Sequence, residues 1–219
     1  MPRAIFEQDG ALLFAGLMSH ATDDLVAMTT TGPGRRLQAK GLESLIAPVT
    51  QTVASLIGPA ARPVRAVLFD KSSETNWALG WHQDRTIVVR ERRDTPGFGP
   101  WSRKQGLQHV APPFEILAGM ATIRIHLDPC DANNAPLKIA LGSHLLGHVA
   151  ARDAAVRAEE CPQRICLAET GDVWAYATPI LHASDRAAHP SRRRVLQVDY
   201  AALKLPGGLD WAGIEGPGH

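Results

Sequence analysis

At about residue 63 the chain changes its hydrophobic period, and that change restricts its possible folds more than any other feature. Upstream, Leu42, Leu45, Ile46, Val49, Val53, Leu56 and Ile57 recur at spacings of three and four, the mark of one apolar helical face. Pro48 suits a first helical turn, so this helix is expected to be split there. Downstream, the apolar residues gather in short β-branched runs separated by Gly, Pro, Asn and Asp, a pattern of strands and turns. The expected strands are Val64–Phe69, Thr86–Val89, Ala121–Leu127, Leu137–Ala140, Arg164–Ala168, Asp172–Tyr176, Ile180–Ser184 and Arg193–Ala201. Together they predict a mainly β fold with N-terminal helices. This is a double-stranded β-helix, or jelly roll, over about 63–201, with a helical layer over about 1–60 packed on one face. A chain of 219 residues suits one domain spanning 1–219.

Composition removes several classes of function. Lys and Arg number 23 against 22 Asp and Glu, so nothing in the overall charge favours nucleic acid as the main partner. Cys130, Cys161 and Cys166 form no disulfide framework, which fits a reducing cytoplasm. Glu7 and Asp9 interrupt the place where a signal peptide would be cationic and then apolar. The uncharged stretch from Ser44 to Ala61 holds Pro48, Gln51, Gly58 and Pro59 and does not read as a membrane span. No Gly-x-Ser-x-Gly elbow and no phosphate-binding Gly-rich loop occurs, which sets aside serine hydrolases and nucleotidases.

Chemistry concentrates around Trp81-His82-Gln83-Asp84. In an extended chain His82 and Asp84 point to the same side and offer an imidazole and a carboxylate to one metal. The pair alone is a weak signal. It strengthens when joined by His182, in the apolar run Ile180–Ser184, and by Arg193 at the start of the last strand. Thr122, Arg124, His126 and Asp128 share one strand face and Ile123, Ile125 and Leu127 the other, so Arg124 is expected to look into the barrel once the apolar face meets the helices.

On these residues the chain resembles the phytanoyl-CoA dioxygenase family of Fe(II)- and 2-oxoglutarate-dependent oxygenases. The likeness covers about residues 64–201. It rests on Trp81-His82-Gln83-Asp84, on Leu127-Asp128 leading through Asn134 to Gly142-Ser143-His144, and on Gly171-Asp172 leading to His182-Ala183-Ser184 and Arg193. Ala135 stands where that family often has Gly. The resemblance implies that His82, Asp84 and His182 bind Fe(II) and that Arg193, helped by Ser184, holds the far carboxylate of 2-oxoglutarate. Two His and one carboxylate leave three metal positions open, the set associated with non-haem Fe(II) oxygenases. Arg124 is a candidate for cosubstrate or substrate contact.

The expected reaction is hydroxylation of a small organic molecule by dioxygen, with release of succinate and CO2. Asp84 argues against a halogenating relative, which would lack the carboxylate. The alternatives are a metal-dependent hydrolase or isomerase on the same barrel and a non-catalytic binding protein. Lys71 and Asn76, shortly before the metal segment, are expected to line the pocket. The segment Glu91–Pro113, rich in Gly and Pro and without a clear period, is expected to be a mobile lid whose Phe98, Trp101 and His109 touch substrate. Arg92, Arg93, Arg103 and Lys104 make this segment basic and read as a solvated face. The tail from Pro206 onward is expected to add little packing.

Overall fold

In the computed structural model, which describes residues 1–29 and 35–215, the change of period separates a helical layer from three antiparallel sheets. The helices are α1 (Pro2–Asp9), α2 (Thr22–Met28), α3 (Leu42–Leu45), α4 (Ala47–Ile57), α5 (Phe114–Ala118) and α6 (Ala154–Glu159). The strands are β1 (Ala11–Phe14), β2 (Arg35–Arg36), β3 (Arg62–Lys71), β4 (Leu79–His82), β5 (Ile87–Val89), β6 (Trp101–Lys104), β7 (Leu107–Val110), β8 (Met120–His126), β9 (Leu137–Ala140), β10 (Gln163–Cys166), β11 (Val173–Ala177), β12 (His182–Ser184) and β13 (Arg193–Ala201). A major sheet runs β1-β11-β8-β13-β3-β2, a minor sheet runs β10-β9-β12-β4, and β5-β7-β6 form a small third sheet. This is a jelly roll, as the strand pattern leads one to expect. The helical run breaks at Ile46, and Pro48 lies in the first turn of α4, where its missing N–H costs nothing.

The major sheet separates two environments because strand side chains alternate between faces. Ala66 and Leu68 of β3, Ile123 and Ile125 of β8, and Leu196 and Val198 of β13 pack on Val49, Val53 and Leu56 of α4 in one apolar cluster. Burying each such large aliphatic side chain contributes about 1.5–3 kcal/mol. The alternate residues Lys71, Arg124, Arg193 and Gln197 point to the interior, where all four are buried. Tyr200 closes the outer layer: fully buried, its hydroxyl meets Thr50 Oγ1 of α4 at 3.0 Å.

Two segments are more regular than their composition suggests, for identifiable reasons. The segment 91–113 does pair regularly. Strands β6 and β7 form a hairpin with Lys104 opposite Leu107, and β7 also pairs with β5. Its two-residue turn, Gln105-Gly106, has positive φ at both positions, 49° and 83°, the primed geometry that matches strand twist. Asn-Gly or Asp-Gly would have announced that turn; Gln-Gly hides it. The tail also packs: Leu209, Trp211 and Ile214 are buried, and Trp211 bridges to Val89. Residues 216–219 of that tail lie outside the described ones. Strands β1, β2 and β4 were likewise not anticipated, since each is too short to show a period. Among the described residues no helix is long and apolar enough to cross a membrane.

The Tyr200–Thr50 contact gives a direct test of how α4 is held to the sheet. Tyr200→Phe removes the hydroxyl and keeps the ring, so a loss of about 1 kcal/mol is expected, read as a Tm lower by about 2–4 °C in thermal unfolding followed by circular dichroism.

Candidate active site

The minor sheet sets the two histidines face to face. In the β4–β12 pairing His82 is opposite His182, and their ring centroids are 4.3 Å apart. Asp84 follows just after β4, and the donor atoms of His82, Asp84 and His182 all lie within 4.8 Å of one another. Each imidazole is oriented by a carbonyl two residues before it: His82 Nδ1 lies 2.7 Å from Gly80 O and His182 Nδ1 lies 2.9 Å from Ile180 O. A carbonyl only accepts, so both Nδ1 atoms carry the proton and both Nε2 lone pairs are left to a ligand. Burial pushes the His182 pKa well below its ordinary value, against the pull of Asp84. Burial alone would raise the Asp84 pKa, but the facing His182, Arg65, His82 and Arg124 outweigh it and hold the carboxyl below the usual carboxylate range. Two imidazoles that present their Nε2 atoms and a carboxylate beside them are a donor set suited to a divalent transition metal.

Gln83, between the two ligand candidates, points the other way and fixes them. Its side-chain amide donates to Gly147 O at 2.9 Å and Pro179 O at 2.7 Å, and its carbonyl accepts from Val149 N–H at 2.9 Å.

His82, Asp84 and His182 open into a cavity of about 270 Å³, whose wall also includes Lys71, Arg124, Ser184 and Arg193. Arg193 is 3% exposed, its Nη1 reaches only Cys130 Sγ at 3.7 Å, and its buried Nε has no partner. A guanidinium so desolvated, with no carboxylate paired to it among the described residues, is suited to an anion. Its sequence neighbours are satisfied: Arg192 pairs with Asp70 at 3.1 Å and Arg194 with Asp128 at 2.7 Å. Arg124 Nη1 donates to Gln197 Oε1 at 3.2 Å. Lys71 donates to Trp77 O at 3.0 Å and lies over the Trp77 ring; its pKa is lowered to about 8, by burial first and then by Arg193 and Arg124.

Four expected pocket residues stand elsewhere. Asn76 clamps the loop after β12, donating to Ala187 O at 3.0 Å and accepting from Ala187 N–H at 2.8 Å. Phe98 and Trp101 pack on Val64, Ile87, Val89 and Val110 beneath the third sheet, so their apolar surface is spent on the core. His109 is 1% exposed and accepts a hydrogen bond from Arg36 Nε at 3.0 Å, which places Arg36 and not His109 on the cavity wall. The basic residues Arg92 and Arg93 pair with Asp94 and Glu91 on their own loop.

Arg36, Arg65 and Phe69 line the cavity and were not singled out from the sequence. Period two along Arg65-Val67-Phe69-Lys71 was available as a signal; nothing announced Arg36, which sits on a two-residue strand.

No family model matches the chain, and no curated protein matches its sequence. Solved structures share its fold. It is similar to EctD from S. alaskensis, solved with 2-oxoglutarate and 5-hydroxyectoine, with a TM-score of 0.65 and 15% identity over 91% of this chain and 74% of that one. It is similar to AviO1 from Streptomyces viridochromogenes Tue57, with a TM-score of 0.58 and 19% identity over 93% of each chain. HygX from Streptomyces hygroscopicus, solved with nickel, 2-oxoglutarate and hygromycin B, matches with a TM-score of 0.57 and 15% identity over 90% of this chain and 85% of that one. Likeness at these identities establishes the fold, a double-stranded β-helix.

Lys71 is held charged in a cavity that disfavours the charge. Its folded pKa lies below its unfolded value, so the unfolded chain binds more protons between about pH 8 and the unfolded pKa. In that window this group makes stability rise with pH. Lys71→Met is therefore expected to be more stable than the parent in urea at pH 7, and the gap is expected to narrow by pH 9.

Proposed function

We propose that the chain, acting as one domain over residues 1–219, is an Fe(II)- and 2-oxoglutarate-dependent dioxygenase of the phytanoyl-CoA dioxygenase type. It hydroxylates a small organic molecule and releases succinate and CO2. The observation that carries this reading is the presence, in one cavity, of a His-Asp-His cluster and a buried arginine without an acidic partner. A metal-dependent hydrolase or isomerase would employ the three donors but give Arg193 no anion to bind. The solved structures of EctD and HygX with 2-oxoglutarate, on the same fold, support the choice.

His82, Asp84 and His182 hold the iron through two Nε2 atoms and one carboxylate, with the Nδ1–H bonds to Gly80 O and Ile180 O fixing both rings. Bound iron supplies dioxygen activation coupled to decarboxylation of the keto acid. Arg193 takes the far carboxylate of 2-oxoglutarate in a bidentate fork, Ser184 adds a hydroxyl from the adjoining wall, and Arg124 and Lys71 supply further positive potential. Phe69, Trp77, Leu79 and Leu137 give the same wall apolar surface that limits water near the reacting atoms. The three free cysteines support a reducing, cytoplasmic setting.

The test is succinate formation with and without Fe(II), joined to metal and cosubstrate titrations. His182→Ala is expected to abolish stoichiometric Fe(II) binding. Arg193→Ala is expected to weaken 2-oxoglutarate about a hundredfold or more, because removing one partner of a buried charge pair costs about 3–5 kcal/mol. Arg193→Lys should fall between the two, since it keeps the charge and loses the fork. Unchanged 2-oxoglutarate dependence in Arg193→Ala would remove the cosubstrate role.

A further inference from the structure

We infer that the prime substrate carries an anionic group, a carboxylate or a phosphoryl group, and that Arg36 binds it at the open edge of the major sheet with His109 as the positioning residue. The inference rests on the oxygenase reading only in calling that anion the substrate.

The cavity is lined by Arg36, Arg65, Lys71, Arg124 and Arg193, and among the described residues Asp84 is the one carboxylate on its wall. Part of this positive charge is accounted for. Arg65 pairs with the buried Asp199 at 2.6 Å, Asp84 sits in the metal-donor cluster, and Arg193 is the arginine suited to the cosubstrate. Arg36 has no such assignment: among the described residues no carboxylate pairs with it. A neutral substrate would cover this half-buried charge without replacing the water it displaces, and a cationic one would be repelled by the whole wall.

The backbone aims Arg36 at the cavity. Arg36 is opposite Val67 in the β2–β3 pairing, and cross-strand partners share a face. Val67 lines the cavity, and so does Arg36. Its backbone N–H is tied to Gln105 Oε1 at 3.0 Å, in the turn of the β6–β7 hairpin.

His109 then sets the guanidinium. The imidazole is buried and accepts from Arg36 Nε at 3.0 Å through Nε2, so Nδ1 bears its proton. Burial, then Arg36, Arg65 and Lys104, lowers its pKa to about 4, so it remains a neutral acceptor at physiological pH. With Nε engaged, the two Nη groups remain to make the paired contact that carboxylates and phosphates accept. The His at 109 thus reads as a residue that acts through Arg36, and the hairpin that carries it forms part of the substrate site without lining it.

The experiment uses the full chain loaded with Mn(II) and 2-oxoglutarate, so that Arg193 is occupied. Benzoate against benzamide and phenyl phosphate against phenol serve as probes, titrated by calorimetry. The anion of at least one pair is expected to bind at least tenfold more tightly than its neutral partner, and the pair that discriminates identifies the carboxylate or phosphoryl preference. Arg36→Ala and Arg36→Gln are expected to erase the difference, the second while keeping a hydrogen bond to His109; Arg93→Ala, on the paired surface loop, is expected to preserve it. His109→Leu should also erase the difference and His109→Gln restore it, with 2-oxoglutarate affinity unchanged in both. A purely structural role for His109 would not produce that split. Equal affinity for anion and neutral probe, or discrimination that survives Arg36→Gln, overturns the inference while 2-oxoglutarate binding stands. Failure of the parent to bind 2-oxoglutarate overturns the oxygenase reading, and with it the naming of that anion as the substrate, while anion discrimination lost in Arg36→Gln still supports the Arg36 site.

Discussion

The two-residue period of β3, β8 and β13 is the constraint on which both core and cavity depend. In these three adjacent strands one set of residues, including Leu68, Ile125 and Leu196, is buried against the helices, and the alternate set includes Lys71, Arg124 and Arg193. A slip of one residue in any pairing would push a guanidinium among the aliphatic side chains of α4 and turn leucine or isoleucine toward the cavity. Neither state could be satisfied, because a buried unpaired charge costs several kcal/mol and the lost apolar burial adds to it. Register is therefore specified from both faces at once, and the site inherits its geometry from the core.

That arrangement stores positive charge in a small volume, and the chain disposes of it in distinct ways. Arg65 has a carboxylate within the barrel, since Asp199 lies at 2.6 Å and is itself held by Thr122 and Gln197. Arg194, on the opposite face of the same strand as Arg193, has a bidentate partner in Asp128. Among the described residues Arg193 and Arg36 have no such partner, although the first is among the most buried polar residues. The difference separates charge paired within the fold from charge that, among the described residues, meets no acid.

The His-Asp-His cluster in the same cavity depends on hydrogen bonds to backbone carbonyls. Both imidazoles lean on carbonyls two residues back along the chain, His82 on Gly80 within β4 and His182 on Ile180 just before β12, so ring orientation is coupled to the local backbone. Gln83 ties the intervening position to the segment 147–149 and to Pro179, which keeps β4 in place at the edge of its sheet. Ala135, with φ of 53°, shows the same dependence on context, because a non-glycine residue holds a left-handed conformation that the packing around it must stabilise.

The sequence by itself determined the layer architecture and the His82–Asp84 pair of donors. β9 and β13 appear with the bounds read from composition and turn residues, Leu137–Ala140 and Arg193–Ala201, and His82 and Asp84 share a side as period two requires. Those features are local, written in the spacing of neighbouring residues. The tertiary structure decided what local spacing does not encode. It joined His182 to His82 across a pairing that spans a hundred residues of chain, and it turned Phe98 and Trp101 into core. It also folded 91–113 into a hairpin through an inconspicuous Gln-Gly turn, and it placed Arg36 on the cavity wall from a strand too short to have a period. Which cations are neutralised was likewise settled in space, since Arg65 meets Asp199 while Arg193 meets no acid, and an ion pair between distant strands leaves no trace in the order of residues along the chain.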